Sequence, residues 1–301
     1  MPNEHKKQKS NTVSLREILN SKNFVVTTEL NPPKGPDVTN ILKKASMLKN
    51  YVDAINITDS AGANMTMAPI TIAYYLTTLS INPILQITGR DRNRIAIQGE
   101  LLAAHALGIL NVLCMSGDSP ADGDHPEAKG VFDLDATGIL QSLEALRSGF
   151  DLSRSKLNAP ADFLVGAVVN PGAKDLEKEI ARMQQKIDLG AQFFQTQGIF
   201  DTNQFESFMG KISNIKAPIL AGLILLKSAK MAQYLNDNLF GVTVPKKTIQ
   251  AMETSDNRVQ TSVDIASSII ESIKPICSGV HIMAIGWEDH IPEILQNTNL
   301  T

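Results

Sequence analysis

The sequence predicts a single (β/α)8 TIM barrel in the α/β class. Three observations carry that reading. Short β-rich runs alternate with longer segments of helical period, eight times along the chain. Such alternation means parallel strands joined through βαβ units. The chain has 301 residues, and eight such units fit a barrel, which commonly needs about 250. Finally, no G-x-G-x-x-G follows the first strand: "ELNPPKGP" has one Gly and three Pro. That argues against an open dinucleotide-binding sheet.

The elements follow in order. "FVVTTEL" (24–30) is a strand, and 38–49 is a helix with Val38, Ile41, Leu42, Ala45 and Leu48 near i, i+3, i+4, i+7 spacing. "DAINIT" (53–58) leads through a Gly-containing loop to a helix at 69–79, and "PILQIT" (83–88) to one at 92–107. "NVLCM" (111–115) opens a long loop dense in Gly, Pro, Asp and His before a helix at 136–147. "FLVGAVV" (163–169) precedes a helix at 174–189, with Leu176, Ile180, Met183 and Ile187 on one face. "QFFQTQ" (192–197) precedes 202–212, and "PILAGLILL" (218–226) precedes helices at 228–236, 245–253 and 260–273. "GVHIMA" (279–284) closes the series before a short terminal helix. No linker interrupts this, so residues 15–301 read as one catalytic barrel domain behind a flexible N-terminal tail at 1–14.

Composition narrows the function. Hydrophobic residues are 43% and charged residues 20%, ordinary globular usage, and the net charge is -3 from 28 basic and 31 acidic side chains. No broad basic face is implied, hence no nucleic acid and no anionic membrane as partner. Aromatics at 5% give little to stack bases on. Cys114 and Cys277 sit in or beside apolar runs and read as buried free thiols, which suits a reducing, cytoplasmic setting. "MPNEHKKQKSNT" lacks an apolar signal region, and no later run is long enough to span a membrane.

Barrel chemistry sits at the C-terminal ends of the strands. Those ends offer Glu29, Thr58, Asp59, Gln86, Thr88, Asp91, Ser116, Asp118, Asn170, Gln195, Gln197 and His281. Each has a plainer reading. Glu29 can reach solvent or pair with Lys34; Asp118 sits in Gly-Asp-Ser-Pro, good turn chemistry. Gln195 and Gln197 share a strand face and can satisfy each other, and His281 reads first as a barrel-interior residue. His105, among Ala and Leu on a helix, reads as structural. There is no metal-ligand spacing, P-loop, nucleophile elbow or Cys/His pair in the sequence. Carboxylates with amides and no metal favour proton transfer alongside an organic cofactor.

Several segments together resemble the methylenetetrahydrofolate reductase family: "TTELNPPKG", "DAINITDSAGANM", "ILQITGRDRN", "LCMSGDSP", "KGVFDLD", "VNPGAKDLEKEIARMQQKIDLGAQFFQTQGIFD" and "GVHIMAIG". The resemblance covers about residues 15 to 296 and implies reduction of 5,10-methylenetetrahydrofolate to 5-methyltetrahydrofolate. It implies ping-pong hydride transfer from NADH or NADPH through a bound flavin, FAD or alternatively FMN. By that resemblance Glu29 matches the general acid, Asp118 the carboxylate between flavin and pterin, and Gln197 a folate-binding amide. Thr58, Gln86, Met115, Ser116, Gly117 and Asp118 match flavin-contacting positions. Glu179, Arg182 and Lys186 match the side chains at the cofactor's phosphate and adenosine end; on pattern alone they are an ordinary solvated helix face.

The family's general acid needs a carboxyl that holds its proton near neutral pH, which an apolar site favours; in sequence Glu29 stands among Val25, Val26 and Leu30. Departures from the family pattern are Asn31 for an aromatic, Gln86 for a frequent His, Ser116 for an Arg, Gln185 for a basic residue, and aliphatics with Lys227 after the seventh strand. They leave the reaction class intact and the electron donor open. The resemblance further implies a folate substrate, a homo-oligomer, and a redox partner protein as the alternative donor. The competing readings are a flavin-free folate-binding methyltransferase barrel and a non-enzymatic partner subunit.

Overall fold

The β-branched, apolar runs all fold as strands. In the computed structural model, which describes residues 13–300, they are β1 (Val25–Leu30), β2 (Ala54–Ile57), β3 (Pro83–Thr88), β4 (Asn111–Met115), β5 (Leu164–Val169), β6 (Phe193–Gly198), β7 (Ile219–Ile224) and β8 (Gly279–Met283). Every neighbouring pair is parallel, and β1 pairs with β8, so the sheet closes in chain order. The helices are α1 (Leu15–Ser21), α2 (Thr39–Leu48), α3 (Pro69–Thr78), α4 (Arg94–Ala106), α5 (Ala136–Arg147) and α6 (Leu176–Asp188), continuing with α7 (Thr202–Lys211), α8 (Ala229–Asn238), α9 (Lys246–Glu253), α10 (Arg258–Ile273) and α11 (Ile291–Asn297).

Strand periodicity divides the apolar residues into two cores. Val26 and Leu30 of β1 face outward and pack with Ile41, Ala45 and Leu48 of α2. Val25 faces inward, into a smaller cluster with Ala54, Ile84, Leu113, Leu164, Phe193 and Leu220. Large and small residues interdigitate there. A Cβ at Gly166 would lie 2.3 Å from the Phe193 ring, so the glycine is what gives that ring its place.

α1 is a helix the sequence reading does not contain. Its signal is the capping box at Ser14-Leu15-Arg16-Glu17: the Glu17 N–H donates to Ser14 Oγ, and the Ser14 N–H donates back to the Glu17 carboxylate. The helix sets fully buried Leu15, with Ile18 and Leu19 beside it, against the inner apolar cluster. The tail expected over 1–14 therefore gives up Ser14 to α1, and residues 1–12 lie outside the described residues.

Both cysteines are free: Cys114 is buried in β4 and Cys277 is half-buried. Burial pushes the Cys277 thiol up to about 11 and the Cys114 thiol up as well. No helix among the described residues is long and apolar enough to cross a membrane.

Candidate active site

Above the apolar layer the barrel interior turns polar. Asn56 and Gln195 form a reciprocal amide pair, with Asn56 Nδ2 donating to Gln195 Oε1 at 2.7 Å and Gln195 Nε2 donating back at 3.1 Å. Gln195 Nε2 also lies 3.3 Å from His281 Nδ1, which Thr27 Oγ1 approaches to 3.0 Å. The other ring nitrogen, Nε2, lies 3.6 Å from Glu29 Oε2. All four supporting side chains are buried, and their mutual pairing offsets the cost of taking them out of water. Glu29 is half-buried above them. The apolar surroundings expected for Glu29 are not those it has. Val26 and Leu30 lie on the outward face of β1, and the carboxylate sits beside a histidine because side chains alternate along a strand.

Over this floor opens a cavity of about 440 Å³, within the usual range for small-molecule sites. Glu29, Thr58, Gln86, Met115, Ser116, Gly117, Asp118, Glu179 and Gln197 all line it, as do Asp59, Thr88, Asn170, Gln195 and His281. Its apolar walls are Leu113, Met115, Val168 and Met283. Gln197 lies within an irregularity in the β6–β7 register, between Gln195 and Gly198. There Thr196 Oγ1 accepts the Gly222 N–H at 2.9 Å, while Gln197 Oε1 accepts the Gly198 N–H at 3.0 Å. The two glutamines thus reach the cavity, as expected for residues two apart on a strand. Gln195 serves its floor and Gln197 its rim.

Asp118 is exposed at the rim, and its carboxylate accepts the Gly62 N–H at 3.0 Å. Gly62 sits in a 3-10 turn, Ala61–Ala63, entered through Ser60 at φ 48. Arg90, only 2% exposed, fastens that turn from below. Its Nη1 donates to Ser60 O at 3.1 Å, its Nη2 to Asp59 O at 3.3 Å, and it grips Asp91 through Nε and Nη2. Gly117 lies directly over this arginine at φ 92, where a Cβ would come to 3.0 Å from the Arg90 and Thr88 Cβ atoms. Only glycine suits that combination of backbone and space.

The long loop after β4 is tied down twice. Asp124 pairs with Lys34 from the loop after β1 and accepts the Met65 N–H from the loop after β2 at 2.9 Å. Hydrogen bonds from Lys34, then His125, then Met65 hold its carboxyl well below the usual carboxylate range. Further on, the Val131 and Phe132 N–H groups donate to Arg90 O and Gly89 O at 2.6 and 3.0 Å.

The remaining predicted cofactor residues divide. Thr58 donates its hydroxyl to Asn31 Oδ1 at 2.7 Å, so the unusual asparagine has a definite partner. Ser116 Oγ accepts the Ala136 N–H at the start of α5, at 3.4 Å. Glu179 lines the cavity and accepts the Asn170 N–H at 3.0 Å. Lys186 lies outside the cavity lining but reaches the end of β5, where Nζ donates to Val168 O at 2.6 Å; burial lowers the pKa of its ammonium. Arg182 is exposed, with Glu179 3.8 Å away, and does not reach the cavity. Asp59 serves the framework, accepting from Thr88 N–H and Oγ1 and pairing with Arg92. Asp91 is committed to Arg90. His105 packs edge-on against Phe163 at 5.4 Å, as a structural histidine would.

Sequence reading does not identify Thr27, Asn56 or Arg90 as site residues. Thr27 and Asn56 carry the inward period of their strands, which is a usable signal. Arg90, in "TGRDRN", carries none.

The model of the methylenetetrahydrofolate reductase family matches residues 14–299. Methylenetetrahydrofolate reductase 1 of Schizosaccharomyces pombe is 23% identical over 66% of this chain and 33% of its own length. The 5,10-methylenetetrahydrofolate reductase of Pectobacterium carotovorum is 23% identical over 84% of this chain and 81% of its own. The chain thus spans about a third of the yeast relative and most of the bacterial one. Among solved structures, an uncharacterized protein from Clostridium thermocellum, which binds two copies of 5-methyl-5,6,7,8-tetrahydrofolic acid, shares the fold. Its TM-score is 0.62 and its identity 17%, over 96% of this chain and 100% of that one.

Proposed function

Because the chain belongs to the methylenetetrahydrofolate reductase family, we propose that it reduces 5,10-methylenetetrahydrofolate to 5-methyltetrahydrofolate by ping-pong hydride transfer from NADH or NADPH through bound FAD. The observation that supports this best is the gathering of Glu29, Asp118 and Gln197 around one cavity at the barrel mouth. Folate binding by the Clostridium thermocellum protein of the same fold is in keeping with it.

The residues present suit a flavin. Leu113, Met115, Val168 and Met283 give apolar walls for a flat ring. Thr58, Gln86 and Ser116 offer hydrogen-bonding groups for polar edges. Lys186, which spends one N–H on the Val168 carbonyl, has further donors for a phosphate. When bound, a flavin supplies reversible hydride acceptance.

In this reading Glu29 gives its proton to N10 of the folate, so the five-membered ring opens to an iminium. Asp118, held at the rim by Gly62, lays its carboxylate near the cationic centre and stabilises it. Gln197 hydrogen-bonds the folate, and the Thr27, Gln195 and His281 layer keeps the Glu29 side chain on station.

The test is a visible spectrum of the purified protein, then anaerobic mixing with NADH and with methylenetetrahydrofolate. A flavin band near ~450 nm that bleaches with NADH and returns with the folate is the expected result. A protein that stays colourless after FAD or FMN is added removes the flavin reading in favour of the methyltransferase.

A further inference from the structure

The register of the barrel sets three polar side chains in one row at its mouth. Leu30 pairs with Ile57, and Ile57 with Leu85. The next residues along the three strands, Asn31, Thr58 and Gln86, therefore stand side by side. Each continues the inward row of its strand, begun by Val25, Ala54 and Ile84. The row lies one layer above Glu29 and Asn56, which face each other across β1 and β2. Asn31 and Gln86 both depart from the family pattern, so this row is the chain's own.

The hydrogen bonds of the row are uneven. Thr58 is 2% exposed and lines the cavity. A hydroxyl has one proton to donate and two lone pairs to accept with. Thr58 donates its proton to Asn31 Oδ1 at 2.7 Å, so only lone pairs are left for the cavity. Gln86 is 6% exposed and lines the same cavity, and among the described residues its amide has no hydrogen-bond partner. A buried amide is costly until something pairs it. Its N–H and C=O groups, next to an acceptor on Thr58, match a ring edge that carries an N–H beside a carbonyl.

We propose that Asn31 is a positioning residue for the cofactor. By taking the Thr58 proton it makes Thr58 and Gln86 a subsite for a lactam edge, the N–H flanked by carbonyls on the pyrimidine ring of a flavin. This rests on the flavin reading of the site and deepens it. In this role Asn31 touches no ligand; it fixes which way the Thr58 hydroxyl points. With an apolar side chain at 31 the hydroxyl is free to turn its proton toward the cavity, against the ring N–H. A folate pterin carries a similar edge, but Gln197, the amide proposed for folate, lies on β6 across the barrel.

Fluorescence titration of the flavin-free full chain with FAD and with its N3-methyl analogue tests this, read as the ratio of the two Kd values. In the wild type the methylated flavin should bind roughly 10–100-fold more weakly. Asn31→Leu should weaken FAD binding by roughly 5–10-fold and shrink the ratio by the same factor. Asn31→Asp keeps the acceptor and should preserve the ratio. On a Thr58→Val background, Asn31→Leu should have no further effect. The proposal is overturned by a ratio that Asn31→Leu leaves unchanged, by one that Asn31→Asp shrinks as far as Asn31→Leu does, or by an Asn31→Leu effect undiminished beside Thr58→Val. It is overturned too if Asn31→Leu weakens 5-methyltetrahydrofolate, by calorimetry, with FAD affinity intact, which gives the edge to the folate. A wild type that binds neither flavin removes the flavin reading itself, and the proposal with it. Asn31 is exposed, so its variants should fold; if Thr58→Val does not, the contrast between Asn31→Leu and Asn31→Asp decides.

Discussion

His281 stands 3.6 Å from Glu29 across the β8–β1 seam, with Nε2 toward the carboxylate and Nδ1 toward Gln195 and Thr27. An amide Nε2 can only donate. Nδ1 is therefore placed to accept from that amide, which leaves Nε2 as the ring nitrogen that faces Glu29. The acid of the proposed reaction is thereby oriented from beneath by His281, which Gln195 and Thr27 hold in turn.

Glu29→Gln keeps the size and hydrogen-bonding reach of the side chain and removes the proton it would deliver in the proposed reaction. Turnover of methylenetetrahydrofolate should fall by roughly 10²–10⁴-fold, while the Kd for 5-methyltetrahydrofolate, measured by titration calorimetry, changes only a few-fold. A variant that turns over like the wild type would take Glu29 out of the acid role.

Gln195→Leu deletes the amide that joins β2, β6 and β8. Asn56 loses both reciprocal bonds, and Nδ1 of His281 loses a donor, all in the buried layer. Leaving a buried polar group unpaired costs about 1–3 kcal/mol. Urea unfolding should show a loss of that order at unchanged m-value; no loss would mean that the layer is not held by this pairing.

Arg90→Lys cannot reproduce a fork that reaches Ser60 O, Asp59 O and Asp91 together. The Ser60–Ala63 turn should loosen, and with it the hold of Gly62 on Asp118. A double-mutant cycle with Asp118→Asn, read on folate affinity, should show coupling of about 0.5–3 kcal/mol. Additive effects would confine Arg90 to framework duty.

Asp124 provides the acid-sensitive fastening. Its carboxyl is depressed in the folded chain, chiefly by Lys34. The unfolded chain therefore takes up the proton first, and the stability this group contributes is present above the ordinary carboxylate value of about 3.9. It is lost as pH falls through the lower folded value. Asp124→Asn should flatten the acid limb of the stability curve. It should also speed proteolytic cleavage within residues 119–131 at neutral pH relative to the wild type; equal cleavage rates would show that the fastening lies elsewhere.

Much of this is legible in the sequence, and for a definite reason. The strands are short β-branched runs bounded by turns, and β3 and β4 match the sequence reading residue for residue. A barrel brings strand-end residues to its mouth, and Glu29, Asp118 and Gln197 are found there. What escapes is whatever depends on register around the barrel. The Thr27–His281 contact joins residues 254 apart in sequence and the Asn56–Gln195 pair residues 139 apart, and no local pattern links them. α1 escapes for another reason: its Ser-x-x-Glu signature is visible, but at seven residues the helix is too short to show an apolar period, and the sequence reading gives residues 15–21 no element.

The capping box that starts α1 has an effect far from the helix itself. By driving Leu15 against the inner apolar layer, four residues of sequence cap the base of the barrel, whose interior is already filled. Anything that visits the cavity must leave by the way it came. If the proposed ping-pong reaction holds, its two partners share that one doorway, and high concentrations of either should slow the other's entry.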